Sequence, residues 1–129
     1  MGVQMYKYDI SGFLHWGYNF YNCQYSYYPI DPYGSTDGDG FVPGGDTFQV
    51  YPGPDGEPIE SIRMMVFEQC LCDMRALKLL ESLTSREHVL ELIGAGLEHE
   101  LTFSDYPRTD EYLTSLRARV NAEIMKTLG

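Results

Sequence analysis

The chain has 129 residues, the length of one domain, and a formal net charge of −10. No run approaches the roughly 18 to 20 consecutive apolar residues of a membrane span, and the start MGVQMYKYD has no apolar signal-peptide core. The nine basic residues are scattered among nineteen acids, which excludes a phosphate-tracking nucleic-acid surface, and three cysteines (Cys23, Cys70, Cys72) make no disulfide framework, so a reduced, cytoplasmic protein is expected.

Two halves differ in kind. Residues 1–60 hold fourteen of the eighteen aromatic residues, ten of the thirteen glycines and six of the seven prolines, with eight acids against the single base Lys7, a net charge of −7. Residues 61–129 hold eight bases, eleven acids and almost all the leucine. The first half is expected to form strand and aromatic, Gly/Pro-rich loops and the second half helices, within one segment spanning 1–129.

In chain order, residues 7–20, KYDISGFLHWGYNF, place Phe13, His15, Gly17 and Asn19 on one parity and Leu14, Trp16, Tyr18 and Phe20 on the other. That alternation predicts a strand apolar on both faces, of the kind buried in a helix-covered parallel sheet. Tyr21 to Asp46, with three prolines and five glycines, predicts a long functional loop whose density of Tyr argues against disorder. Residues 47–51, TFQVY, predict a short strand ended by the turn residues PGPDGEP. Ser61 is the expected N-cap of a helix, and the run from Ser61 to Leu83 is apolar around most of its circumference, which predicts burial. Thr84 and Glu87 have capping-box spacing for a second helix that stops at Gly94 and Gly96. After a break from Phe103 to Pro107, Leu113, Leu116, Val120, Ile124 and Leu128 at spacings of three and four predict a last helix following Thr109.

Three constellations could carry chemistry. The first is Trp16, Tyr18, Asn19, Tyr21 and Tyr25, with Tyr27, Tyr28 and Tyr33 beyond. Flat aromatic faces beside amides suit a sugar, whose C–H groups stack on a ring while its hydroxyls need hydrogen bonds; packing of a core or loop is the plainer alternative. The second is Gly44-Gly45-Asp46 with Tyr51-Pro52-Gly53, where Asp46 either accepts sugar hydroxyls or caps a turn. The third is Arg63 at the opening of the long helix, which either orients a carboxylate or forms a structural ion pair. Asp37-Gly38-Asp39-Gly40 matches calcium-loop spacing at two positions only, with Phe41 where a third oxygen ligand would stand. Cys70 and Cys72 point to different sides of a helix, and His15, His88 and His99 have no metal-ligand spacing; a satisfied core imidazole is the first reading of His15. No nucleophile elbow or phosphate-binding glycine loop is present, and no metal or cofactor is expected.

The ordered motifs GFLHWGYNF (12–20), Gly45-Asp46, VYPGPDG (50–56) and Ser61-Ile62-Arg63 resemble the signature of the bacterial domain of unknown function 4091. That domain is similar to the carboxyl-terminal part of the catalytic (β/α)8 (TIM) barrel of glycoside hydrolase family 123, and the resemblance covers roughly residues 5–82. It implies an α/β fold class: the C-terminal portion of a TIM barrel, with one or two strands and a long aromatic loop followed by three helices. Residues 10–20 would be the last barrel strand and residues 61–82 the closing helix. It implies Trp16 as the stacking floor for a carbohydrate, and with the constellations above the expected substrate-binding set is Trp16, Tyr18, Asn19, Tyr21, Asp46, Tyr51 and Arg63.

The family's reaction cleaves β-linked N-acetylgalactosamine, with the substrate's acetamido group as nucleophile and an adjacent Asp and Glu on an earlier strand. The only such dipeptide here, Asp110-Glu111, stands at a helix start and reads as capping. The resemblance therefore implies no catalytic residue in this chain, and a partner in the missing N-terminal part of a barrel, which needs eight strands and about 250 residues. The alternative is a small non-catalytic module that binds carbohydrate or a protein. Uncovered sheet edges would also permit self-association.

Overall fold

The computed structural model describes residues 1–129 and holds four helices and one two-stranded sheet: α1 (Gly2–Lys7), β1 (Val50–Pro52), β2 (Pro58–Glu60), α2 (Ile62–Leu83), α3 (Arg86–Gly94) and α4 (Asp110–Leu128). No helix is long and apolar enough to cross a membrane. The chain divides into two compact units, one of residues 1–12 and 69–129 and one of residues 13–68, with α2 running from the second into the first.

The helical unit carries the apolar core: Val3, Tyr6, Ala76, Leu77, Leu80, Val89, Ile93, Leu101, Leu116, Val120 and Ile124. Spacings of three and four residues put Leu77 with Leu80, Val89 with Ile93, and Leu116 with Val120 and Ile124 on single helix faces, as the α4 pattern predicts. Helix α3 opens one residue later than the Thr84–Glu87 box implies. The N-cap is Ser85, whose hydroxyl accepts the His88 N–H at 3.2 Å, while the Thr84 hydroxyl turns back to donate to Leu80 O at the end of α2. Asp110 and Glu111 occupy the first turn of α4, and the Thr109 hydroxyl together with the Glu111 amide holds the Glu111 carboxyl below the usual carboxylate range.

Six residues too short to persist alone form α1, which sequence periodicity does not reveal; tertiary partners hold it. Gln4 Nε2 donates to Thr102 O, Lys7 Nζ to Leu101 O and Glu100 Oε1, and Arg86 Nη2 to the carbonyls of Tyr6 and Lys7. The Tyr6 ring lies in the core with the Arg86 guanidinium above it at 5.1 Å. Burial and then the neighbouring Glu81 carboxylate raise the Tyr6 hydroxyl far above its ordinary pKa.

In the second unit, the strand expected at 47–51 is β1, which starts at Val50, and it pairs across PGPDGEP with a strand the sequence reading did not foresee, β2, antiparallel with Tyr51 opposite Ile59 and Gly53 N–H donating to Glu57 O. Two expectations are corrected here. Residues 7–20 form no buried strand: they run from the end of α1 into extended, irregular chain with a single bridge, Asn19 to Phe48, and Leu14 keeps 85% of its surface in water. The reason is pairing: a lone bridge offers no sheet for a two-faced strand to enter. The expected burial of α2 holds only for Ala76, Leu77 and Leu80, whereas Ile62, Met65, Val66 and Leu79 are exposed, because its apolar girth exceeds what the core in contact with it covers.

Candidate functional site

The geometry of the second unit is set by a main-chain clamp between residues 17–20 and 46–50. Phe20 N–H donates to Thr47 O at 3.0 Å and Gln49 N–H to Tyr18 O at 2.7 Å, on either side of the Asn19–Phe48 bridge. Gly17 makes the approach feasible: a Cβ there would lie 2.5 Å from Thr47 O. Segments thirty residues apart in sequence thereby come together, and their neighbours His15, Trp16 and Asp46 meet.

The Asp46 carboxylate takes one donor on each oxygen, Trp16 Nε1–H at 3.0 Å on Oδ2 and His15 Nε2 at 3.2 Å on Oδ1. Nε2 faces the carboxylate, and Nδ1 faces the Gly17 main chain, 3.0 Å from its carbonyl oxygen and 3.2 Å from its N–H. Each Asp46 oxygen retains a lone pair for a further donor. Trp16 is 50% exposed, and its ring lies near-parallel to His15, 5.4 Å from Phe20 and 6.4 Å from Phe41. One indole edge is fixed by Asp46 while part of the ring stays open to solvent.

Behind this surface, Phe48 is fully buried and gathers a second group. Tyr21 and Tyr51 lie 5.5 and 5.0 Å from its ring, and the Arg63 guanidinium sits 5.0 Å above Phe48 and 5.7 Å from Tyr51. Arg63 Nε and Nη2 both donate to Phe48 O, at 3.1 and 2.9 Å, and no carboxylate of the chain pairs with it, so a main-chain carbonyl takes the place of the structural ion pair weighed for it. Gly45, at φ +87°, lies flush on the Arg63 side chain, where a Cβ would fall 2.7 Å from Cδ. Tyr21 and Tyr33 hydroxyls donate to the carbonyls of Val50 and Pro52, both at 2.8 Å.

Of the seven residues singled out, Trp16 and Asp46 bond directly. Tyr18 and Asn19 supply the clamp through their main chains with their side chains exposed, and Tyr21, Tyr51 and Arg63 support the surface from around Phe48. His15, which stands out among the histidines by its position beside Trp16 but reads first as a satisfied core imidazole, is half-buried and bonded to Asp46. Phe20, Phe41 and Phe48 were not singled out, and nothing local marks them.

The acidic loop is a turn. The Asp37 carboxylate accepts the Ser35 hydroxyl and the Gly40 N–H, both at 3.0 Å, which holds it below the usual carboxylate range. Asp39 accepts the Tyr28 hydroxyl, and that bond pushes the Tyr28 pKa up to about 12. No group of three or more His, Cys, Asp or Glu side chains is placed to hold a metal ion.

The family model of the glycoside hydrolase 123 catalytic domain matches residues 1–80, which take in the whole clamp, Trp16, Asp46 and Arg63. No curated protein matches the chain.

Proposed function

Because the chain belongs to the glycoside hydrolase 123 catalytic-domain family, we propose that its second unit supplies part of the sugar-binding surface of such a hydrolase, with Trp16 and Asp46 as the contact pair. The observation that carries this reading is the Trp16 Nε1–Asp46 Oδ2 bond, which fixes a half-exposed indole beside a carboxylate that has acceptor capacity to spare. A pyranose needs that combination: an apolar face on the ring and its hydroxyls on a charged acceptor, where hydrogen bonds are the strongest. His15 holds the other carboxylate oxygen, and Arg63 and Gly45 brace the main chain on which Asp46 stands. Tyr18 and Asn19, exposed on the clamp, are further candidates for contact with the sugar.

In this reading α2 is the closing helix of a TIM barrel, as in the domain of unknown function 4091, and the rest of the barrel is the partner. The general acid and its companion carboxylate come from outside this chain. Its sole adjacent Asp–Glu pair lies in the first turn of α4, beyond the matched residues, with Glu111 engaged in capping. The chain binds sugar without cleaving it.

Two measurements test this. Titration of the purified chain with aryl N-acetyl-β-galactosaminide, followed by calorimetry, should saturate. The Trp16→Phe and Asp46→Ala variants should each weaken binding by roughly tenfold or more, the size of a central contact; undiminished affinity in folded variants overturns the assignment of those residues. Turnover of the same glycoside by this chain, abolished by a substitution within it, overturns the non-catalytic role.

A further inference from the structure

Beside the Trp16 surface, the long loop builds a second feature that sugar contact at Trp16 does not use. Residues 21–30 form a closed hairpin: Ile30 N–H donates to Tyr21 O, Cys23 N–H to Tyr28 O and Ser26 N–H to Cys23 O, and the Tyr28 N–H rests on Cys23 Sγ. Its tip holds Tyr25 and Ser26 in the left-handed region, at φ 60° and 56°, which favours glycine. The outcome of that strain is display: Tyr25 and Tyr27 keep 76% and 79% of their surfaces in water, with their rings 5.7 Å apart and steeply inclined. Asp39, itself at φ 67°, presents its carboxylate to the Tyr28 hydroxyl. Together with Phe41 these groups line an open depression of about 450 Å³.

Three properties of the depression define what it accepts. Its walls are aromatic faces with hydroxyls at their edges, a lining for a ligand that is apolar on one side and rich in hydroxyls on the other. Its fixed charge is negative: Asp39 is the one carboxylate in its lining and no Lys, Arg or His lines it, so no lining cation would pair with a carboxylate, sulfate or phosphate. And it adjoins the first surface, because Phe41 belongs to both, lying in its wall and 6.4 Å from each of Trp16 and Phe20.

We propose that the Tyr25, Tyr27, Tyr28 and Asp39 depression is a second carbohydrate subsite, which takes the neighbouring uncharged or amino-bearing ring of a saccharide held at Trp16 and rejects acidic sugars. This extends the reading of Trp16 and Asp46 as a sugar surface and rests on it. Tyr25 and Tyr27 supply stacking faces, and Asp39 accepts hydroxyl or ammonium protons while holding the Tyr28 hydroxyl in place.

The test compares N-acetylgalactosamine with a β-linked disaccharide of N-acetylhexosamines, and with a disaccharide whose second ring is a uronic acid, by calorimetry on the full chain. The unaltered chain should bind the neutral disaccharide roughly tenfold more tightly than the monosaccharide, and the acidic one no more tightly than the monosaccharide. The Tyr25→Ala/Tyr27→Ala variant, whose side chains are exposed and whose fold circular dichroism would check, should lose the disaccharide advantage and keep monosaccharide affinity. Asp39→Asn should weaken discrimination against the uronic acid. An advantage that survives loss of both rings, or equal binding of neutral and acidic disaccharides, overturns the second subsite and leaves the Trp16 surface standing. Monosaccharide binding indifferent to Trp16→Phe overturns the Trp16 surface instead, and absence of any binding by the unaltered chain overturns both.

Discussion

In the helical unit, Leu77, Leu80, Val89, Ile93 and Val120 have almost no contact with solvent, whereas in the second unit Trp16, Tyr25, Tyr27 and Tyr33 keep half or more of their surfaces in water. The first unit is held by burial of aliphatic area, which is non-directional and grows with the surface removed from water. The second has a small interior, chiefly Phe48, Thr47 and Val50, and is held by directed bonds onto a few acceptors: the Asp46 carboxylate and the carbonyls of Thr47, Phe48, Val50 and Pro52. Spending side-chain polarity on the main chain in this way leaves the aromatic faces free, and a surface of that kind is where binding groups are carried.

The contrast can be broken by experiment, since far-UV circular dichroism reports mostly the helices and the single tryptophan reports the second unit. The largest effect is expected from Leu80→Ala, which opens a void at a fully buried position and should cost about 2–5 kcal/mol in urea unfolding followed by circular dichroism. If tryptophan fluorescence shifts by the same amount, the two units unfold as one and the division fails. Arg63→Ala removes both donors from Phe48 O and should cost about 1.5–3 kcal/mol in the fluorescence transition. Arg63→Lys should not restore it, since an ammonium cannot reproduce the planar fork lying over Phe48 and Tyr51.

Ser85→Ala removes the α3 cap and should cost about 1 kcal/mol, seen by circular dichroism alone. The smallest effect at neutral pH is expected from Tyr6→Phe, because the Tyr6 hydroxyl is buried without a hydrogen-bond partner, and its removal should change stability by less than about 1 kcal/mol. At high pH the same variant should matter more. The raised pKa of Tyr6 means that the folded state holds a proton the unfolded chain releases near pH 10, so stability is complete below that pH and declines above it. Tyr6→Phe should blunt that decline in a pH series of thermal melts; an unchanged decline would show that other groups govern it.

How far the sequence disclosed this arrangement follows from the range of the forces involved. Helices α2, α3 and α4 announce themselves by apolar patterning and by capping residues, and β1 and the turn after it by their composition, since those signals act over a few positions, whereas β2 gives no such signal. The stretch 7–20 misleads because alternating aromatic residues look the same in a buried strand and in an extended segment that displays its rings; the difference is made by Thr47 and Phe48, some thirty residues away. For the same reason Trp16 and Asp46 can each be nominated from composition, but not their bond, and Arg63 can be nominated but not its partner, a main-chain carbonyl that sequence does not label. Helix α1 escapes because six residues without a side-chain cap owe their form to Thr102, Glu100 and Arg86.

The nesting of one unit inside the chain of the other sets a timetable for biosynthesis. Residues 13–68 leave the ribosome as an uninterrupted block and can close their clamp at once, but α1 must wait. Arg86, which holds the Tyr6 and Lys7 carbonyls, follows them by 80 and 79 positions, and Glu100 follows Lys7 by 93. At roughly 5–20 residues per second, that is an interval of about 4 to 19 s between the synthesis of α1 and that of the residues that hold it. The clamp is thus completed within one block of residues, whereas α1 depends on partners made seconds after it.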